Sequence, residues 1–137
     1  TFVKGEMNME REKRDRQSTG REGEELAKNY LIERGFRILH TNWRTGHKEL
    51  DIVAVKAEKI HFVEVRTHSR ASIVSPEQTI DRTKQRTVIK AARAYMAIYR
   101  ITAEAQFDVI GIVFGKDGKG VPDYKLEYIP NAFTLLV

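Results

Sequence analysis

No cysteine occurs in the 137 residues, so neither a disulfide framework nor a thiolate zinc site can hold this chain together. No apolar run approaches the ~20 residues that span a bilayer, and the N-terminus shows no signal-peptide core, which predicts a cytoplasmic protein with no membrane partner. Repeats and low-complexity tracts are missing too. So are a Gly-rich P-loop, a nucleophile elbow and zinc-finger spacing, which removes the commonest signatures of nucleotide hydrolysis, acyl transfer and zinc-ordered modules. The four histidines, His40, His47, His61 and His68, stand on separate segments without metal-ligand spacing and read as surface or partly packed side chains.

What is present is a concentration of charge where a folding chain has no use for it. Glu49 to Val55 and Ile60 to Arg66 are rich in β-branched residues and read as two strands of one hairpin joined by the polar loop Lys56 to Lys59. If Val55 pairs with Ile60, the register sets Val53 opposite Phe62, Asp51 opposite Glu64 and Glu49 opposite Arg66, all on one face because side chains alternate along a strand. Cross-strand neighbours sit ~5 Å apart, so Asp51 and Glu64 form a like-charge pair that is destabilising alone. Mg²⁺ or Mn²⁺ would remove the penalty, since such ions take oxygen ligands and commonly use one or two carboxylates with water and phosphate. Arg66, two residues beyond Glu64, adds a cation able to stabilise charge on a phosphate. The same residues also read as the solvated face of an edge hairpin, and spacing alone does not choose between the two.

Net charge is +5, and all of that excess lies between Thr67 and Arg100, where seven Lys/Arg face only Glu77 and Asp81. A helix is predicted over Asp81 to Tyr99, with Val88, Ala91, Ala92, Tyr95 and Tyr99 as its apolar stripe and Arg82, Arg86, Lys90 and Arg93 opposite. That basic face suits a nucleic-acid backbone, or simply solvent. Lys84 breaks the segregation: one turn before Val88, it points toward the sheet, as a charge at the site or as a stem packed on the sheet edge. An earlier helix starts at a capping box, Thr19 to Glu22, carries Leu26, Ala27, Tyr30 and Leu31 as its stripe, and stops at Gly35. Glu24 lies only ~20° round from Leu31 at 100° per residue, so it can reach a neighbouring sheet or remain solvated. Further strands are expected over Phe36 to Trp43, Phe107 to Phe114 and Tyr124 to Ile129. Residues 1–18 read as a flexible charged tail and 19–137 as one domain, a size sufficient to bury a core. Trp43 reads as an aromatic closing the core in preference to a base-stacking platform, and Asp108 as either structural or adjacent to a site.

Asp51 followed by Glu64-Val65-Arg66 resembles the Asp-x(n)-Glu-x-Lys signature of restriction-endonuclease-like nucleases. Gly20-x-x-Gly23-Glu24-x-x-Ala27, Gly35-Phe36-Arg37-Ile38-Leu39, Asn42-Trp43-Arg44, Glu49-Leu50-Asp51-Ile52-Val53, Phe62-Val63-Glu64-Val65, Lys84 and Phe107-Asp108-Val109 are similar in order to the bacterial YraN family, itself distantly similar to archaeal Holliday junction resolvases. The resemblance implies an α/β fold, a mixed β-sheet whose central hairpin carries the site and is flanked by helices. It implies that Asp51 and Glu64 are metal ligands and that Glu24 is a further acidic member of the site. Arg66 departs from the usual Lys. Its guanidinium can clamp phosphate but not act as a base.

The expected function is therefore a Mg²⁺- or Mn²⁺-dependent endonuclease acting on DNA, including branched or damaged duplexes. Its catalytic group would be Glu24, Asp51, Glu64, Arg66 and Lys84, its metal ligands Asp51 and Glu64, and its nucleic-acid contacts Arg82, Arg86, Lys90 and Arg93. The alternatives are a nucleic-acid-binding module or scaffold of a DNA-processing assembly that does not cut, and a protein-interaction domain using the basic face. DNA against RNA, and homodimer against monomer, stay open.

Overall fold

The structure is a computed structural model describing residues 20–69 and 80–134. The expected tail 1–18, the capping residue Thr19 and most of the polar loop after β3 lie outside the described residues. The first helix, α1, covers residues 20–33. It stops in a Schellman arrangement: the Phe36 amide donates to Leu31 O at 3.0 Å and the Gly35 amide to Ile32 O at 3.0 Å, with Gly35 at φ +89°. Leu31 and Phe36 are both buried, so the turn closes with an apolar contact that sends the chain onto the sheet.

Five strands follow: β1 (Arg37–Thr45), β2 (Lys48–Lys56), β3 (Lys59–Ser69), β4 (Glu104–Lys116) and β5 (Pro122–Phe133), with α2 (Arg82–Ile98) between β3 and β4. They form one sheet in sequence order, antiparallel except for β3 against β4. A parallel neighbour needs a crossover, and α2 provides it. Two cores lie on opposite faces. Val88, Ala91, Ala92 and Tyr95 of α2 pack on Leu50, Val53, Ile60, Phe62 and Val109. On the other face Ala27 and Leu31 of α1 pack on Ile52, Ala54, Val63, Ile110 and Ile112. This is the expected mixed α/β architecture, with a helix on each side of the hairpin.

Three details differ from the sequence reading. The β2–β3 connection is a two-residue turn, with Lys56 paired to Lys59 and both Ala57 and Glu58 at positive φ. That is the primed hairpin geometry, adopted without the Asn-Gly that normally advertises it. The last strand runs on through Pro130, which an edge strand tolerates because one side of its backbone lacks a ladder partner. The third concerns the register. Val55–Ile60 and Val53–Phe62 pair as expected, but the β2–β3 ladder ends at Ile52–Val63. Glu49 pairs with Arg44 of β1, their side chains 3.7 Å apart, and not with Arg66, whose partner in the ladder is Gly111 of β4. Leu50 joins Val53 in the α2-side core while Ile52 and Ala54 join the other, so the two-residue alternation slips at Asp51.

Asp108 is wholly buried in a closed polar knot. Its Oδ2 accepts from Tyr128 Oη at 2.6 Å and lies 2.8 Å from His61 Nδ1, and its Oδ1 accepts from Gln106 Nε2 at 2.9 Å and the Asn131 amide at 3.0 Å. Burial alone would raise its pKa, but the four bonds overcome that and hold it below the usual carboxylate value. Its role is to tie β4 to β3 and β5. His61 is accordingly a buried partner of this knot and not a surface histidine. Trp43 packs against the α2-side core, its ring edge-on to Tyr95.

Candidate metal centre

Where the β2–β3 ladder ends, side chains replace it. The Asp51 amide donates to Glu64 Oε2 at 3.3 Å, and the Val65 amide donates to Asp51 Oδ2 at 2.9 Å. Each carboxylate thus takes one backbone donor from the opposite strand. This reciprocal clamp is what brings the two acids together, where an unbroken ladder would merely set them opposite. Glu64 is 1 % exposed, and its Oε1 is buried without a hydrogen-bond partner. An unpartnered carboxylate oxygen in the interior is costly, so its retention needs a reason.

Burial, together with Asp51 beside it, pushes Glu64 up to about 8. Asp51 is also raised, chiefly by burial and further by Glu24, although the Val65 amide, Lys84 and Arg66 act in the other direction. Near neutral pH the bare pair therefore retains a proton. Lys84 Nζ stands 3.6 Å from Glu64 Oε1, half-exposed, an ion-pair distance too long for a hydrogen bond. Its position is fixed at the helix start, where Asp81 caps α2 by accepting from the Lys84 amide at 2.8 Å. Arg66 and His68 continue the row beyond Glu64, and each has a buried side-chain nitrogen, Nε and Nε2 respectively, without a partner.

Glu24 comes from the other helix. Gly23 allows this, because a Cβ there would collide with the Thr67 methyl group, so α1 lies directly on β3 one residue past Arg66. Glu24 Oε2 accepts from Asn42 Nδ2 at 3.1 Å. Asn42 has φ +51°, a left-handed conformation that Asn adopts more readily than most residues, and it stands on β1 beside Trp43. Sequence reasoning missed both Asn42 and the steric duty of Gly23. The available signals were their places in the Gly20-x-x-Gly23-Glu24 and Asn42-Trp43-Arg44 motifs, an Asn inside a strand pattern and a glycine inside a helix.

A divalent ion fits this donor set on chemical grounds: two hard carboxylates, one with a free buried oxygen, and an electrostatic strain that positive charge relieves. Asp51 and Glu64 would hold it. Among the described residues no three His, Cys, Asp or Glu side chains converge as a complete cage. Glu24 is engaged by Asn42 and influences Asp51 through its field. Arg82, Arg86, Lys90 and Arg93 lie apart from the centre on the outer flank of α2, lining a cleft with Gln85, Ile89 and Thr134.

A five-stranded mixed sheet with a helix on each face and an Asp–Glu pair at the split end of its hairpin is an α/β domain of the restriction-endonuclease-like kind. The Uncharacterised protein family UPF0102 matches residues 23–112, spanning most of α1, all of α2 and every residue of the centre, and the chain belongs to that family. UPF0102 proteins of Parabacteroides distasonis and Porphyromonas gingivalis are 39 % and 37 % identical to it, over 83 % and 90 % of this chain and 90 % and 89 % of their own lengths. One from Chlorobium phaeobacteroides is 40 % identical over 83 % of this chain and 92 % of its own. The family is the one whose motifs the sequence resembles under the name YraN. Among the described residues, no helix is long and apolar enough to cross a membrane.

Proposed function

We propose that the protein is a Mg²⁺- or Mn²⁺-dependent nuclease that hydrolyses phosphodiester bonds in DNA. One observation carries the reading: Asp51 and Glu64 are clamped together by backbone amides of the facing strands, Val65 to Asp51 and Asp51 to Glu64, and an oxygen of Glu64 is left buried without a hydrogen bond beside two cations, Lys84 and Arg66. A bound divalent ion supplies Lewis-acid stabilisation of phosphate and lowers the pKa of attacking water. The protein's own part is positioning and charge. Lys84 and Arg66 offset charge developing on the phosphoryl oxygens, Arg66 as a permanently protonated fork and Lys84 from the fixed first turn of α2. Glu24, held by Asn42, keeps negative potential on the Asp51 side and so favours cation occupancy.

The test is twofold. Calorimetry with Mn²⁺ should show binding to the wild type that Asp51→Asn abolishes while the fold persists, and equal affinity in the two would remove the metal centre. Duplex, single-stranded, flap and four-way-junction substrates with Mg²⁺ or Mn²⁺ then identify what is cut. On any of them Lys84→Ala should lower kcat far more than Lys90→Ala, although both delete one charge from the same helix. Arg66 supports a second reading, a nucleic-acid-binding module that keeps the metal centre without cutting, since a guanidinium cannot take a proton from water. Mn²⁺ binding with no cleavage of any substrate, unaltered in Arg66→Lys, would select it.

A further inference from the structure

The outer flank of α2 is a different surface from the metal centre, with different chemistry. Arg82, Arg86, Lys90 and Arg93 line a cleft of about 260 Å³ between the helix and Thr134 at the end of β5, with Ile89 in its lining. Steps of four, four and three residues place successive cations ~5–6 Å apart, and the row from Arg82 to Arg93 spans ~16 Å at 1.5 Å per residue. None of the four makes an ion pair among the described residues, whereas Lys84 on the same helix pairs with Glu64. No acidic residue occupies the first turn of the helix either. Four like charges in a line repel one another, so the arrangement wants a polyanion with a regular repeat.

We infer that this cleft is an anchoring site for the phosphate backbone of duplex nucleic acid, acting without metal and separate from the centre at Asp51 and Glu64. The duplex is favoured because the lining contains no aromatic side chain, and sites for single strands rely on aromatic platforms that stack bases. Without such platforms, and with long cations alone, the contact is to backbone and indifferent to sequence.

The separation follows from the helix itself. At 100° per residue, Arg86 lies 160° round α2 from Lys84 and Arg93 lies 180° round, while Lys84 reaches Glu64 on the inner side. A helix with its side chains is ~10 Å across, so its whole thickness stands between anchor and centre. The backbone stretch that fills the cleft is therefore not the stretch that meets Glu64. Anchoring does not depend on the nuclease reading, and each can fail alone.

The experiment is fluorescence anisotropy of a labelled 20-base-pair duplex in EDTA, titrated with salt from 50 to 200 mM, for the wild type and for Arg82→Glu/Arg86→Glu/Arg93→Glu. Losing three phosphate contacts should reduce the log-log salt slope by up to ~2.7, so wild-type affinity should fall roughly 40-fold more than the variant's across that range. The Mn²⁺ affinity of the variant should match the wild type. A triple Arg→Gln variant gives the same slope change without charge reversal, should the Glu variant fail to fold. Equal slopes in wild type and the folded variant would overturn the anchor. So would absence of wild-type binding in EDTA, or tighter salt-sensitive binding of a polyglutamate peptide than of the duplex, which would make the surface one for an acidic protein. If Mn²⁺ binding fails in the wild type while the slope result holds, the anchor stands and the nuclease reading falls.

Discussion

Asp108 and Glu64 are both buried carboxylates on the central strands, yet one is finished and the other is not. Asp108 has four donors around its two oxygens and is held below the ordinary carboxylate pKa. Glu64 has one backbone donor and an acidic neighbour, and it is raised to about 8. A fold that satisfies one buried acid so fully has the means to satisfy another. Glu64 Oε1 instead has no hydrogen bond and only Lys84 at 3.6 Å, and the proposed metal centre rests on that difference. Completed polar groups stabilise; an incomplete one is a candidate for binding.

The largest test of the contrast is Asp108→Ala. Removing the acceptor strands the buried His61 donor and leaves the part-buried Tyr128, Gln106 and Asn131 donors without it, and stability measured by urea unfolding should fall by about 3–5 kcal/mol. A loss below about 1 kcal/mol would mean that the knot is ornamental and the comparison empty.

Glu64 should behave in the opposite way. Its folded pKa lies above its unfolded value, so its contribution to stability is greatest below about 4.5 and is lost as pH rises through about 8. Glu64→Gln should therefore make the metal-free protein more stable at pH 8, by on the order of a few kcal/mol, and nearly neutral at pH 4. Saturating Mn²⁺ should reverse the ranking, because it stabilises only the wild type. Thermal unfolding at the two pH values with EDTA or Mn²⁺ reads all four conditions.

A smaller effect is expected where α1 meets β3. Gly23→Ala drives a methyl group into that of Thr67 and should cost about 1–3 kcal/mol, with Thr67→Ser in the same chain recovering most of it. Because the displaced helix carries Glu24, Mn²⁺ affinity should shift in the single mutant and return in the double, while the Asp108 knot stays intact by the His61 and Tyr128 resonances. Smallest of all is Asn42→Gly, which keeps the left-handed backbone and deletes only the exposed bond to Glu24. Stability should change by less than about 1 kcal/mol. A change in Mn²⁺ affinity without a change in stability would show that the rim of the unfinished site is tuned from β1.

Much of this was legible in the residues. The alternation of β2 and β3, the apolar stripe of α2 with Lys84 on its inward side, and the stop at Gly35 all follow from periods of 2 and 3.6 and from one backbone conformation that glycine adopts freely. The hairpin turn was read as four residues because Ala57 and Glu58 carry no positive-φ signature of their own. The tertiary pairing of Lys56 with Lys59 imposes it. Pro130 looked like a strand end because sequence does not reveal which strand lies at an edge.

The sequence by itself determined the apolar faces of α2 and of β2 beyond Asp51, where the helices can begin and end, and that Asp51 and Glu64 share a hairpin. It did so because these depend on local periodicity and on intrinsic backbone preference. Only the tertiary structure decided that the ladder stops at Ile52, that each acid then takes a backbone donor from the opposite strand, and that Gly23 and Asn42 bring Glu24 to the rim. It alone also decided that Asp108 is fully satisfied while Glu64 is not. Those outcomes depend on competition between side chains and backbone for the same few donors, and that competition is settled only when distant segments are packed together.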